Sequence, residues 1–285
     1  MRYRSIGRCI YCGDSAAPRN QEHIIPFAIA GDALVFDDAS CDRCAREINK
    51  FEQPILRRML GPFRVVANAP TRNKRDRPRT LPLKIGMADE HGRLLAPPET
   101  LQIPSKEMHL VLVGWRLPQP GILFEEAPPR DQLRGQPWCR IDWTTAQKHV
   151  DRYRDVTGWR GNIAVKIGDV PHVAYLRWLA KIAHGYAVAE WGFDGFTHFL
   201  TDIILGRSNH FCHYIGGDQV VPEPGETDAI YNIRSGRLVG DDKTLLAVEL
   251  HLFPFYGAPI HHVIVGARER TSDEVALRQQ EGNDM

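Results

Sequence analysis

Four of the six cysteines, Cys9, Cys12, Cys41 and Cys44, stand as two Cys-x-x-Cys pairs with 28 residues between them. Two such knuckles in a chain with no sign of secretion read as four thiolates around one zinc ion, not as disulfides. A four-thiolate site is closed, because no coordination position is open to water or substrate. This zinc is therefore expected to hold the fold and to do no chemistry. A segment of about sixty residues has too little core to fold unaided, and a bound metal supplies the missing free energy. The remaining two, Cys139 and Cys212, stand alone and read as buried small hydrophobes.

Glu22 and His23 lie between the knuckles. Hydrolysis of a phosphodiester needs a base to deprotonate water and a hard cation on the phosphate and leaving oxygens. His23 fits the base, since an imidazole is neutral near pH 7. Glu22 is a hard oxygen ligand for magnesium or manganese. On a regular strand, adjacent side chains point to opposite faces, so the strand must bend if both are to serve one site. After the second knuckle, Ala45, Asn49 and Glu52 are spaced i, i+4, i+7 and form one stripe of a helix. Glu52 borders the apolar face, where an unpaired carboxylate is costly and calls for a cation or an arginine. Asn49 and Glu52 are thus alternatives for a second ligand of the catalytic ion. His210-Phe-Cys212-His213 has the composition of a metal cluster without a familiar spacing, and it reads as structural, as does His261-His262.

The elements that must hold these groups can be read in turn. Glu22-His23-Ile24-Ile25-Pro26 and Leu34-Val35-Phe36 predict two short strands in a hairpin across Gly31-Asp32. Ser40 is a plausible N-cap for a helix from about Cys41 to Leu60, with Ile48, Phe51, Ile55, Met59 and Leu60 at helical spacing. Pro54 should kink that helix and Gly61-Pro62 should end it. Residues 64–84, rich in arginine and lysine and carrying three prolines, predict an extended basic linker. Residues 83–170 look like short strands between Pro- and Gly-rich turns, among them His109–Gly114 and Gly161–Gly168. Val173 to Glu190 predicts an amphipathic helix, Gly195 to Leu205 a second, and Thr244–Phe253 and Ile260–Val265 two final strands.

Cys-x-x-Cys, Glu22-His-Ile-Ile-Pro26, Cys-x-x-Cys and the helix that follows resemble the HNH endonuclease family in its zinc-bound form. The likeness covers about residues 9–60. It implies a β-hairpin and helix gripping one catalytic divalent cation, with His23 as general base and Glu22 as first metal ligand, a position more often Asp in the family. The chain departs from the pattern in two places. Ala45 stands where many zinc-bound members have His or Asn, which passes the second ligand role to Asn49 or Glu52. No Asn lies between His23 and Cys44, so the residue that usually orients the base is missing or replaced. The stretch from Phe51 to Arg64 resembles a bacterial subgroup of such proteins with a long C-terminal region of unknown role.

Net charge is +1, but residues 1–84 hold 16 Lys+Arg against 9 Asp+Glu, and the remainder is acidic. That asymmetry points the N-terminal part at a polyanion, with Arg57, Arg58, Arg64, Arg72, Lys74 and Arg75 expected along a phosphate backbone. No run of apolar residues is long enough for a membrane helix, and the first residues lack a secretory core, so a cytoplasmic protein is expected. The expected fold is α+β: a zinc-stapled, treble-clef-like ββα-metal module over 1–63, the basic linker 64–84, and a mixed α/β C-terminal domain over 85–285. The expected function is endonucleolytic cleavage of DNA more than RNA; a further reading has a protein or ligand at the C-terminal domain license the nuclease, as in a phage-defence or restriction effector. The rival is a zinc-dependent nucleic-acid or protein-binding module without catalysis.

Overall fold

A computed structural model describes residues 1–126, 134–168, 170–225, 227–240 and 242–271. The chain is α+β. Strand β1 (Arg2–Tyr3) runs parallel to β3 (Val35–Cys41), and β3 pairs antiparallel with β2 (Arg19–His23). A one-turn helix α1 (Phe27–Ala30) sits between β2 and β3, and helix α2 (Asp42–Gln53) follows β3 directly. The expected hairpin is present with shifted bounds, the first strand ending at His23 so that Ile24–Pro26 lead into a turn of helix, and the second running on to Cys41.

Helix α2 starts at Asp42, and its N-cap is Cys41, not Ser40; Cys41 is extended and makes no side-chain capping bond. Pro54 does not stop the chain coiling. It lacks an N–H, so one i→i−4 bond is lost, and the next turn widens into a π-helix over Pro54–Met59. The widened turn is marked by the amide of Leu60 donating to the Ile55 carbonyl at 2.8 Å. Helix α3 (Gly61–Val66) then turns back over it.

The stretch expected as an extended linker is partly folded. Arg64, on α3, is turned inward, and Arg77 donates to the Asn68 side chain and the Ala69 carbonyl, closing the intervening loop. Strand β4 (Thr80–Ala88) begins before residue 84 and lies between β5 (Glu99–Pro104) and β8 (Asn162–Lys166). Strands β6 (Val111–Arg116) and β7 (Gln136–Ile141) make a separate ribbon. Between β7 and β8 runs α4 (Trp143–Thr157), a helix that the strand reading of residues 83–170 missed. Its signals were present: Asp142 caps it by accepting from the Thr145 amide at 3.2 Å, and Gly158 ends it at φ 69°.

Helix α5 (His172–Trp191) is followed by β9 (Thr197–His198), short helices α6 (Thr201–Ile204) and α7 (Phe211–Tyr214), and strand β10 (Ile215–Gly217). Strands β11 (Tyr231–Val239), β12 (Lys243–Leu252) and β13 (Ile260–Glu269) complete a sheet in the order β10-β13-β12-β11, which β9 joins at β13. Thus the second helix expected over 195–205 is only one turn, preceded by a strand.

Helix α5 is not amphipathic. Leu176, Trp178, Leu179, Ala180, Ile182, Ala183 and Val188 are all buried, so it is apolar nearly all round, as a helix enclosed on several sides must be. One side meets the N-terminal segment; a Cβ on Gly185 would stand 3.5 Å from Ile24 Cγ1. Another side meets β12 and β13. Consequently one hydrophobic core runs from Cys9, Ile24 and Ile48 through α5 to Val248 and Val265. This corrects the expected division at 64–84: residues 1–63 share their core with the C-terminal sheet. The part with a core of its own is smaller, built from Leu81, Leu83, Ile85, Ile103, Met108 and Tyr153 on β4, β5 and α4 and the segment after β5. Among the described residues no helix is long and apolar enough to cross a membrane.

Candidate metal centre and charged cleft

The first knuckle is a tight turn. Gly13 takes φ 74°, donates to the Cys9 carbonyl at 2.9 Å, and so brings Cys12 beside Cys9. The Ile10 amide donates to the Ala39 carbonyl at 2.8 Å, which ties that turn to β3. Cys41 ends β3 and Cys44 lies in the first turn of α2, where the contact with Cys9 and burial raise the Cys44 thiol above its ordinary value. The ligand atoms of Cys9, Cys12, Cys41 and Cys44 all lie within 4.8 Å of one another. Cys12 Sγ and Cys41 Sγ are 3.8 Å apart. Tetrahedral zinc with bonds of about 2.3 Å needs sulfur–sulfur edges of about 3.8 Å, so the set fits zinc. The neighbouring Cys44 thiol and backbone amides pull the Cys9 thiol down to about 4, which makes Cys9 the readiest thiolate. Among the described residues no other group of His, Cys, Asp and Glu gathers in this way, and His210, Cys212 and His213 do not. Cys139 is exposed and Cys212 only half-buried, contrary to expectation.

Around the corner from the cysteines a cleft of about 540 Å³ is lined by Glu22, His23, Asn49, Glu52 and Arg72, with Ala45 on its wall. Sequence-distant residues meet there for a local reason. Strand β2 carries a bulge between Asn20 and Glu22, then pairs Glu22 with Phe36 and His23 with Val35 and ends there. Glu22 and His23 line the cleft from adjacent positions at that strand end. Asn49 is exposed at the rim, while Glu52 is turned inward, one turn further along α2.

The cleft also holds a residue that sequence reasoning passed over. Lys181 of α5 places Nζ 2.6 Å from Glu22 Oε1 and 3.4 Å from Glu52 Oε1, with side-chain exposures of 1% for the lysine, 11% for Glu22 and 15% for Glu52. The contact to Glu52 is an ion pair out of hydrogen-bond alignment, and Glu52 Oε1 is buried without a hydrogen-bond partner. Burial opposes the Lys181 ammonium, but Glu22 and Glu52 outweigh it and hold its pKa above the ordinary lysine value. Burial raises the Glu22 carboxyl above the usual range, an effect the ammonium only partly offsets. The signal that could have flagged Lys181 was a lone charge in the apolar run Trp178–Val188.

His23 is largely buried, with its ring edge-on to Phe27 at 5.6 Å. Its Nδ1 is buried without a hydrogen-bond partner and lies 3.7 Å from Asp32 Oδ1. Burial lowers its pKa below 6.5, with the Asp32 carboxylate working the other way, so the ring is neutral at pH 7. Asp32 is the second residue missed; it stands on the β2–β3 connection, where no Asn was found.

The arginines divide into two kinds. Arg57 and Arg58 are exposed. Arg72 stacks over Phe27 at 5.1 Å, at the mouth of the cleft. Arg75 is exposed, and the side chain of Lys74 lies outside the described residues. Arg64 differs: Nε donates to the Ala28 carbonyl at 2.7 Å and Nη1 to the Leu56 carbonyl at 2.9 Å. It is a half-buried brace between α1 and the π-helix, its guanidinium already engaged by two carbonyls. A second depression of about 700 Å³ adjoins the cleft across Arg57 and Arg64, and Arg58, Arg77 and Lys84 line it against one carboxylate, Asp76. Lys84 was not among the expected contacts.

Comparison with protein-family models, with curated proteins and with solved structures finds no match.

Proposed function

We propose that the chain is a metal-dependent endonuclease of the HNH type that cuts phosphodiester bonds in DNA, with RNA the poorer substrate. The observation that carries this reading is convergence: Glu22, His23, Asn49 and Glu52 line one cleft beside the four-cysteine cluster, and the cleft opens onto an arginine-lined depression. The HNH resemblance, through the zinc-stapled hairpin and helix, is part of the proposal.

Neutral His23 serves as base. A water proton moves to Nε2, the resulting hydroxide attacks phosphorus, and the bond to the leaving sugar oxygen breaks. As the ring becomes cationic, Asp32 at 3.7 Å from Nδ1 is the nearest opposite charge on that side. The donor set also fits a magnesium or manganese ion: Glu22, Glu52 and Asn49 offer hard oxygens, and Glu52 Oε1 is buried and unbonded. Such an ion, when bound, supplies positive charge for the phosphate and leaving oxygens. Arg57 and Arg72 line the cleft and Arg58 the depression beside it, where they would give a phosphate backbone affinity without base reading, with Arg75 exposed nearby in sequence.

One observation favours the rival, a zinc-dependent binding module without catalysis: Lys181 already pairs with both carboxylates. A cleavage assay on supercoiled plasmid with magnesium, manganese or chelator separates the two. Metal-dependent nicking that vanishes in His23→Ala supports the nuclease, while tight DNA binding with no cutting in any metal supports the rival. A regulatory partner for the C-terminal region and a defence role stay with the nuclease reading as its biological extension.

A further inference from the structure

A lysine in the middle of a buried helix is unfavourable unless its charge is matched and its protons are bonded. Lys181 lies between buried Ala180 and Ile182 on α5. Its Nζ meets Glu22 and Glu52 and donates to the carbonyl of His23 at 2.5 Å, with the Ile24 carbonyl at 3.4 Å. Three ammonium protons therefore face Glu22 and the His23 and Ile24 carbonyls, with Glu52 held by charge alone, and none is left for substrate. Formal charges add a second constraint. The two carboxylates bring −2 and the lysine +1, which leaves −1 in the cleft wall. A divalent cation added to that set makes the loaded centre +1; without the lysine it would be neutral. A net positive centre favours a phosphodiester anion and the further negative charge that develops as it is attacked.

We propose that Lys181 is a resident counter-cation of the candidate metal centre, positioning Glu22 against Glu52 and weakening their hold on a divalent ion so that the loaded centre stays net positive. The location of that centre rests on the nuclease reading; the role of the lysine rests on its contacts and charge. Lys181 is a positioning residue in the cleft wall, its ammonium taken up by its partners.

The test uses full-length Lys181→Met and Lys181→Gln, each with its zinc retained. Binding of manganese is titrated by the paramagnetic resonance signal of the free ion, and thermal unfolding is followed with and without manganese. Both variants should bind manganese at least about tenfold more tightly than the wild type, because a positive charge beside the ligands is gone. Manganese should also raise their unfolding temperature more than it raises that of the wild type. Lys181→Gln keeps a hydrogen-bond donor and loses only the charge, so a gain in both variants is required. Unchanged or weaker binding in either folded variant overturns the proposal, as does an absence of manganese binding in all three proteins. If neither variant folds in manganese-free buffer, refolding with manganese decides: recovery supports the counter-cation role, and continued failure overturns it. No readout depends on cutting. A protein that gains manganese affinity as stated but never nicks DNA keeps this inference and loses the nuclease reading; His23-dependent cutting with no gain does the opposite.

Discussion

The cysteine cluster and the charged cleft share α2 and are built in opposite ways. The cluster takes four soft donors from residues 9–44, and turns and one helix start bring them together. The cleft takes hard donors from β2 and α2 and then draws a lysine from α5, whose Nζ bonds a carbonyl 158 residues away in sequence. The first needs only local chain geometry plus a metal. The second exists only when the C-terminal sheet and α5 have packed against the N-terminal segment. Staple and chemistry therefore depend on different parts of the fold, and perturbing them should give separable effects.

The largest effect is expected at the staple. Cys44→Ser removes one zinc ligand, and structural zinc in small modules contributes about 10 kcal/mol or more. Since the core is continuous from Cys9 to Val265, the loss should spread beyond the first sixty residues and abolish cooperative unfolding. Metal analysis should find about one zinc per wild-type chain and none in the variant. A variant that kept zinc and melted within about 5 °C of wild type would break the contrast, because the cluster would then be no staple.

The cleft should respond without unfolding. His23→Ala is expected to lower cleavage by about 10²-fold or more, the usual worth of a positioned base, with zinc content and melting temperature unchanged. A base works deprotonated, and burial lowers the pKa of His23, with Asp32 opposing. The rate should therefore rise with pH through a midpoint below 6.5 and level off by neutrality. A midpoint well above 6.5 would mean that a different group supplies the base.

What could be read from the sequence follows the same contrast. The cysteines, Glu22, His23 and the hairpin-helix order were legible because each depends on neighbours within a few turns of chain. Asn49 and Glu52 were separable only in space: both lie on one stripe, but the one at the rim and the one facing Lys181 differ in which tertiary partner arrives. Lys181 itself sat in an apolar run whose periodicity drew attention to its hydrophobes. Arg64 carried the same letter as Arg58 and the same basic surroundings, yet carbonyls of Ala28 and Leu56 capture its guanidinium. The linker was misread for a related reason, since proline and arginine content gives no sign that Arg77 folds the loop back on Asn68 and Ala69.

A smaller effect tests the C-terminal half of the shared core by acid. His261 is buried, its Nε2 lies 3.0 Å from the Trp115 carbonyl, and burial pushes its pKa down to about 4 from 6.5. Between those values the unfolded chain binds a proton that the folded chain refuses. Stability from this group is complete above pH 6.5 and declines as pH falls toward 4, by about 1.4 kcal/mol per pH unit. In urea unfolding, His261→Gln should flatten that slope by this amount relative to wild type. Loss of zinc in acid affects both proteins alike, so the difference between them isolates the histidine. Equal slopes would place the acid sensitivity elsewhere.

The smallest effect separates the two kinds of arginine. Arg58 is exposed on the depression beside the cleft, so Arg58→Ala should leave the melting temperature alone and weaken DNA binding evenly across sequences. If its guanidinium neutralises one phosphate, the slope of log binding constant against log salt should fall by about 0.9 for a duplex. Arg64→Ala should behave differently, because the half-buried carbonyls of Ala28 and Leu56 lose their donor. That loss costs on the order of 2 kcal/mol of stability and shows as a lowered urea midpoint, with the salt slope little changed. Running both variants in one salt titration and one unfolding series decides the assignment. If Arg58→Ala leaves the salt slope untouched while Arg64→Ala reduces it, the phosphate path runs through the cleft wall and not over the outer face of the π-helix.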